Sequence, residues 1–266
     1  MPVYEKRLLN LQYNFHTHTY RCSHATGTER EYIERAISGG IKNMGFSDHC
    51  PFRFPDGYES PFRVPTASAV EYMSTIGTLR EEYKDKIKIN IGFEMEYYPQ
   101  YYDEMLSKAR SYGAEYLILG QHFLYNEYPN GKTAFEDTDS IDDLKYYVDC
   151  VVSAIKSGCY TYVAHPDALK FVGDKSAYIQ EMRKICVASR EYNIPVEINF
   201  LGIRGHRHYP NEAFWKIAAE EKSPVVFGND AHDVVSAYDP ESLVKAKELV
   251  QRLNLNYIGM PKLLHL

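Results

Sequence analysis

The sequence predicts an α/β protein folded as a closed or nearly closed β/α barrel. Three observations predict it. Seven short apolar runs alternate with seven helical patterns along 266 residues, the signature of parallel βαβ units. Capping residues and helix-stop glycines separate the units. Seven of the ten histidines stand at or just beyond the ends of the apolar runs, and the C-terminal strand ends of a β/α barrel form its catalytic face. An open doubly wound sheet is the runner-up. No G-x-G-x-x-G or Walker segment follows any predicted strand, which weakens a nucleotide-binding sheet.

The elements follow in order. Leu9 to Phe15 reads as the first buried strand and ends in Asn14-Phe15-His16-Thr17-His18. Thr28 with Glu31 forms a capping-box pattern before Ile33, Ala36 and Ile37, and Gly39-Gly40 closes that helix. Ile41 to Ser47 is the second strand, ending in Asp48-His49. Residues 50–65 form a long proline-rich loop with two similar tripeptides, Pro51-Phe52-Arg53 and Pro61-Phe62-Arg63. Loops of this length in compact domains are usually functional; two aromatic-plus-arginine elements directly after the candidate ligand His49 favour a lid over an ordinary surface excursion. A helix spans Ser68 to Tyr83, Ile87 to Phe93 is a strand ending in Glu94, and Tyr101 to Ser111 is helical. Glu115 to Gly120 is the fourth strand, ending near His122, and 123–139 is a second long loop. Ser140 opens a helix to Lys156, and Tyr160 to Ala164 is a fifth strand closing at His165-Pro166-Asp167. A helix from Ala177 to Tyr192 precedes the sixth strand, Pro195 to Phe200, and the basic loop Gly202 to Tyr209. Asn211 to Glu221 is helical, Pro224 to Gly228 is the seventh strand ending in Asn229-Asp230-Ala231-His232, and a last helix runs from Glu241 to Leu253. With no linker or low-complexity tract, residues 1–266 read as one domain.

Composition bounds the partners. Hydrophobic residues make up 44% and charged residues 25% of the chain, as in a soluble globular protein able to bury a large core. The net charge of -6 argues against broad binding of nucleic acid. Five scattered cysteines without a C-x-x-C suggest reduced thiols, and with no apolar signal core at the start the expected location is cytoplasmic, without membrane attachment. The oligomeric state is not encoded legibly.

The chemistry gathers at the predicted strand ends. His16 and His18 are two apart, so a strand aims both at one point. His24, His49, Glu94, His122, His165, Asp230 and His232 join them from other strand ends. Nine ligand-type side chains exceed the four of a single zinc site, so two or three ions are implied, with Glu94 and Asp230 able to bridge. Mixed imidazole and carboxylate donors suit Zn, Mn or Fe. Ions clustered at about 3.5–4 Å generate hydroxide and neutralise attacking and leaving oxygens, chemistry suited to phosphoester hydrolysis. Asp48 adjoins His49 and is the best candidate to orient imidazoles or move protons. Asp167 and Asp233 read equally well as loop or turn acids. After strand six, Arg204, His206 and Arg207 are candidates to hold phosphate, and the lid residues Arg53 and Phe52 (or Phe62) to hold the rest of a substrate.

The order H-x-H, His, His, Glu, His, His, D-x-H resembles the polymerase-and-histidinol-phosphatase (PHP) superfamily over residues 14 to 232. Cys22-Ser-His-Ala-Thr-Gly-Thr28 and Gly45-Phe-Ser-Asp-His-Cys-Pro51 resemble its histidinol-phosphatase branch. The resemblance implies a distorted seven-stranded (β/α)7 barrel with a trinuclear site at the C-terminal strand ends. It implies one ion on His16, His18, Glu94 and Asp230, a second on Glu94, His122 and His165, and a third on His24, His49 and His232. The activity it implies is removal of phosphate from L-histidinol phosphate in histidine biosynthesis, with Asp48, Glu94 and Asp230 serving the reaction. A different PHP phosphoesterase, acting on another small ester or a nucleic-acid end, is the alternative.

Overall fold

The computed structural model describes residues 11–128 and 131–266. Four parallel strands come first: β1 (Tyr13–Asn14), β2 (Asn43–His49), β3 (Lys88–Met95) and β4 (Tyr116–Leu119), paired in that order. Their residues are buried almost throughout, as strands covered by helices must be. Farther along, β7 (Val196–Asn199) pairs in parallel with β8 (Pro224–Gly228), and β8 with β9 (Asn256–Tyr257). Between β4 and β7, Val163 makes a parallel bridge to Leu119 on one side and to Val196 on the other. Just past β1, Thr17 bridges Ala231, which follows β8. The pairing therefore curls, and the helices cover the outside of a curled parallel sheet.

The helices begin and end where their caps dictate. Thr28 forms the predicted capping box on α1 (Glu29–Ser38). α2 spans Ala69–Tyr83 and α3 spans Tyr102–Tyr112, the latter stopped by Gly113 in the left-handed region. Ser140 caps α4 (Ile141–Ser157), and Asp174 caps α5 (Lys175–Tyr192), two residues earlier than the apolar pattern indicates. Asn211 caps α7 (Glu212–Glu221), and Asp239 caps α8 (Pro240–Leu253) with proline in its first turn.

Several elements differ from the sequence reading. The first strand keeps only Tyr13–Asn14, and Leu9 and Asn10 lie outside the described residues. Tyr160 to Ala164 forms no ladder. It still fills a strand's place, donating from Thr161 to Leu117 O and from Val163 to Pro195 O, before Pro166 interrupts. Phe200 to Arg204, expected to be strand end and loop, instead winds into a short helix, α6, because Asn199 accepts from the Gly202 amide and caps it. The second long loop contains a small antiparallel hairpin, β5 (Phe123–Leu124) with β6 (Lys132–Thr133). β9 follows the last helix unannounced.

The 50–65 loop is strapped down rather than hinged free. Phe52 and Phe54 pack edge to face in the core and against Tyr101. Arg63 is buried and forked onto Glu96 and Glu127, with a further bond to Cys50 O at 2.7 Å. Tyr58 stacks on Tyr128 and Phe62 on Phe123. The two long loops are thus zipped together beside the strand ends.

Candidate metal centre

Register builds the centre. In the β2–β3 ladder His49, the last residue of β2, lies opposite Glu94, the penultimate residue of β3. Thr17's bridge to Ala231 brings His16 and His18 alongside Asp230 and His232. His165 and Asp230 hold φ of 29° and 47°, a left-handed conformation costly for any residue with a Cβ. Two of the eight such non-glycine positions thus fall on candidate ligands, as strain stored at functional sites does. Gly120 follows β4 because a Cβ there would overlap the Glu94 carboxylate, and Gly228 gives Glu197 the same clearance.

All nine predicted ligands converge. Sets of atoms mutually within 4.8 Å include His16, His18 and Asp230; His16, Glu94 and His165; His18, His49 and Glu94; and His24, His49 and His232. Five of the imidazoles are held by Nδ1. His16 Nδ1 donates to Glu197 Oε1 at 2.8 Å, His122 Nδ1 to Glu96 Oε1 at 2.6 Å and His24 Nδ1 to Cys22 O at 2.6 Å. His18 Nδ1 faces Asp48 at 3.4 Å and His232 Nδ1 faces Asp230 O at 3.3 Å. A fixed proton on Nδ1 turns the Nε2 lone pair inward, the tautomer a cation needs.

Those inward atoms have a spacing of their own. His16 Nε2 is 3.5 Å from Glu94 and 3.6 Å from Asp230. His18 Nε2 is 3.5 Å from Glu94 and 3.4 Å from Asp230. His122 Nε2 is 3.4 Å and His165 Nε2 3.1 Å from Glu94. Most of these exceed a good N–H···O bond. They match the edge of a tetrahedron with bonds of 2.0–2.2 Å, roughly 3.3–3.6 Å. His16 Nε2, His18 Nε2, His49 Nδ1 and Glu94 Oε2 are buried with no hydrogen-bond partner, a cost a protein seldom bears without a ligand for them. The donor set therefore fits divalent cations.

The electrostatics agree. Burial opposes charge on His16, but Asp230, Glu197 and Glu94 outweigh it and hold its pKa well above the usual imidazole value. Against the same opposition, Asp230, Asp48 and Glu94 raise His18 to about 9, and Glu94 and Glu96 raise His122 to about 10. Burial would raise Glu94 and Asp230, yet the surrounding imidazoles keep both well below the carboxylate range. Burial and the charge on His18 push His49 well down and His232 to about 4. Protons on three imidazoles occupy the charge balance that cations would take over.

The other predicted residues separate. Asp48 is buried behind the ligands. It accepts from the Thr19 amide at 3.0 Å and the His49 amide at 2.8 Å and faces His18, so it positions imidazoles, and proton transfer at the cavity does not fall to it. Asp167 anchors the start of α7 by accepting from the Asn211 amide and from Trp215 Nε1 at 3.1 Å, and Asp233 is a turn acid bonded to Ser236. A cavity of about 230 Å³ opens over the cluster, completed by Phe135, Leu201, Arg207 and Tyr209. Its volume equals about eight waters of liquid, suited to a small molecule. Arg207 reaches it; Arg204 does not. α6 turns Arg204 beneath the Asp230 turn, where it donates to Asn229 O at 2.6 Å and to Asp230 O at 2.5 Å. His206 is exposed in a left-handed turn and lines no part of the cavity. Phe52 is core, and Arg53 is exposed on Glu59 beside a separate cavity. The ring that meets the cluster is Phe62, edge-on to His49 at 5.2 Å.

Sequence reasoning missed Glu96, Glu197, Arg63, Phe135 and Tyr209. Two of these left a signal: Glu96 is two residues beyond Glu94, and Glu197 is a lone charge inside an apolar strand. Cys22 also lies within 4.8 Å of ligand atoms of His18 and His232. Its thiol donates to Thr19 O at 3.1 Å, and burial pushes its pKa up.

The chain is similar to known proteins. The profile of the PHP domain family matches residues 14–200. A Bacillus subtilis protein named histidinol-phosphatase is 28% identical over 262 residues, covering 84% of this chain and 96% of the relative. A Deinococcus radiodurans protein named "Probable histidinol-phosphatase" is 27% identical, covering 82% and 85%. The crystal structure of Lactococcus lactis histidinol phosphate phosphatase, complexed with zinc, L-histidinol and phosphate, superposes with a TM-score of 0.69 at 20% identity, over 92% of this chain and 94% of that one.

Proposed function

From the premise that this chain belongs to the PHP domain family, we propose that it is a metal-dependent phosphatase that hydrolyses L-histidinol phosphate to L-histidinol and phosphate in histidine biosynthesis. The observation that carries the reading is the nest of inward-facing, unpartnered Nε2 and carboxylate atoms at coordination spacing beneath a small cavity. The names of the full-length relatives support the substrate.

Three ions fit the donor count. His16, His18, Glu94 and Asp230 would hold one; Glu94, His122 and His165 a second; His24, His49 and His232 a third, with Zn, Mn or Fe suited to such donors. When bound, such ions supply Lewis acidity toward phosphate oxygens and an activated water. The chain's own residues do the rest. Glu197, Glu96 and Asp48 keep the imidazoles oriented. Arg207, lining the cavity with its guanidinium 5.9 Å from the Phe135 and Tyr209 rings, offers its remaining donors to a phosphate oxygen pair. Phe135 and Leu201 give the cavity apolar lining, and Phe62 packs edge-on against His49. Glu94 and Asp230 would serve the reaction as ligands, holding cations whose charge offsets that of a phosphate dianion.

The bridges at Val163 and Thr17 support counting the curled sheet as a distorted seven-stranded barrel. The whole chain, 1–266, then forms one PHP-type domain. No helix among the described residues is long and apolar enough to cross a membrane, which accords with a cytoplasmic enzyme. The test is phosphate release from L-histidinol phosphate by metal-reconstituted protein, with generic phosphoesters alongside and Glu94→Ala as control. Selective turnover lost in the variant supports the reading. Turnover of other esters with none of histidinol phosphate would leave a PHP phosphoesterase of different substrate.

A further inference from the structure

The cavity lining is of two kinds. Candidate ligands supply most of it, and Phe135, Leu201, Arg207 and Tyr209 supply the rest. In an in-line displacement at phosphorus the attacking and leaving oxygens lie on opposite faces. If water attacks from the candidate ligands, as the phosphatase reading requires, the alcohol oxygen leaves away from that water. The polar lining side chains that are not candidate ligands are Arg207 and Tyr209.

Their hydrogen bond fixes a direction. Arg207 Nη1 lies 2.9 Å from the Tyr209 hydroxyl. Arginine has no acceptor, so Arg207 donates and Tyr209 oxygen accepts. The hydroxyl's own proton has no acceptor among the described residues. Tyr209 is 1% exposed, and its ring rests on Phe135 and His165, with centroids 6.0 and 5.9 Å away. A buried hydroxyl held by its lone pair, with its hydrogen unspent beside a cavity, is an arranged donor.

We propose that Tyr209 is a catalytic residue that donates its proton to the leaving alcohol oxygen, with Arg207 polarising the hydroxyl. The inference rests on the phosphatase reading above. The attacking water forms the new P–O bond as the ester P–O bond breaks. The departing electron pair goes to the alcohol oxygen, which takes the proton of Tyr209. The tyrosinate left beside Arg207 recovers a proton from the dihydrogen phosphate product, so one water and one ester become one alcohol and one hydrogen phosphate.

The experiment compares wild type with Tyr209→Phe on L-histidinol phosphate, an alkyl ester, and on p-nitrophenyl phosphate, whose leaving group needs no proton. The expected result is a kcat loss of about 10²–10³-fold on the alkyl ester, the range of general acid catalysis, with less than about threefold on the aryl ester. Bound metal and calorimetric affinity for inorganic phosphate should be unchanged, since the ring stays. Equal losses on both esters would mean Tyr209 serves a non-bridging oxygen and would overturn the proposal, as would no loss on either. If wild type ignores histidinol phosphate but cleaves another alkyl phosphate, the substrate reading falls, and the same comparison on that ester still decides Tyr209.

Discussion

Removing the Arg63 guanidinium should strongly destabilise the protein. Arg63 is 2% exposed, and its partners Glu96 and Glu127 are 0% and 7% exposed. Nε donates to Glu127 at 3.0 Å, Nη1 to Cys50 O at 2.7 Å, and Nη2 to both glutamates. Burial opposes the charge of Arg63, yet the two carboxylates hold its pKa well above the free value. Arg63→Met leaves Glu127 with only the Tyr98 and Ser60 hydroxyls and leaves Glu96 with His122. Breaking a buried ion pair costs about 3–5 kcal/mol. At roughly 2–4 °C per kcal/mol for a chain of this size, Tm should fall by about 6–20 °C. Adding Glu127→Gln should recover part of the loss by removing one of the stranded charges. Arg63→Lys should fall between, since an ammonium lacks the fork. Calorimetric unfolding of metal-free protein reads all three. A Tm within about 2 °C of wild type for Arg63→Met would refute the view that this cluster pins the two loops.

Other outcomes follow from the same geometry. Gly120→Ala should push the Glu94 carboxylate aside and sharply lower metal content by elemental analysis, while Gly113→Ala, far from the cluster, should not. Loading the centre near pH 7 should release roughly three protons, one each from His16, His18 and His122, because all three have raised pKa values; titration in weak buffer that releases none would contradict the proton-for-cation exchange. The same shifts set the stability of metal-free protein. His18 and His122 are raised to about 9 and about 10, so their contribution is full below about pH 6.5 and is lost as pH rises through 9–10. Metal-free Tm should therefore drop from neutral to alkaline pH, and loaded protein should not follow it. Chelation should lower Tm at neutral pH, by the equivalent of about 4 kcal/mol if the cation stood at a thousand times its Kd.

Two tripeptides mark the boundary between what the sequence announces and what it withholds. Pro51-Phe52-Arg53 and Pro61-Phe62-Arg63 read alike. In the first the ring is buried and the arginine exposed; in the second the arginine is buried and the ring faces His49. Arg204 and Arg207 divide in the same way: the short helix capped by Asn199 turns one under the Asp230 loop, and the next turn leaves the other at the cavity. The two aromatic-plus-arginine elements read as a lid, and the strap on that loop was not legible because its anchor, Glu127, sits 64 residues away from Arg63 in sequence.

The nine candidate ligands and the alternation of strands and helices were legible in the sequence alone. Metal chemistry admits few residue types, strand geometry fixes their spacing at two, and caps act on near neighbours. Such local rules leave local traces. Only the tertiary structure decided which nitrogen each histidine turns inward, which acids hold the rings, which arginine lines the cavity and that Arg207 donates to the Tyr209 hydroxyl. Those depend on groups such as His16 and Glu197, 181 residues apart, and no periodicity in one chain encodes a partner at that distance.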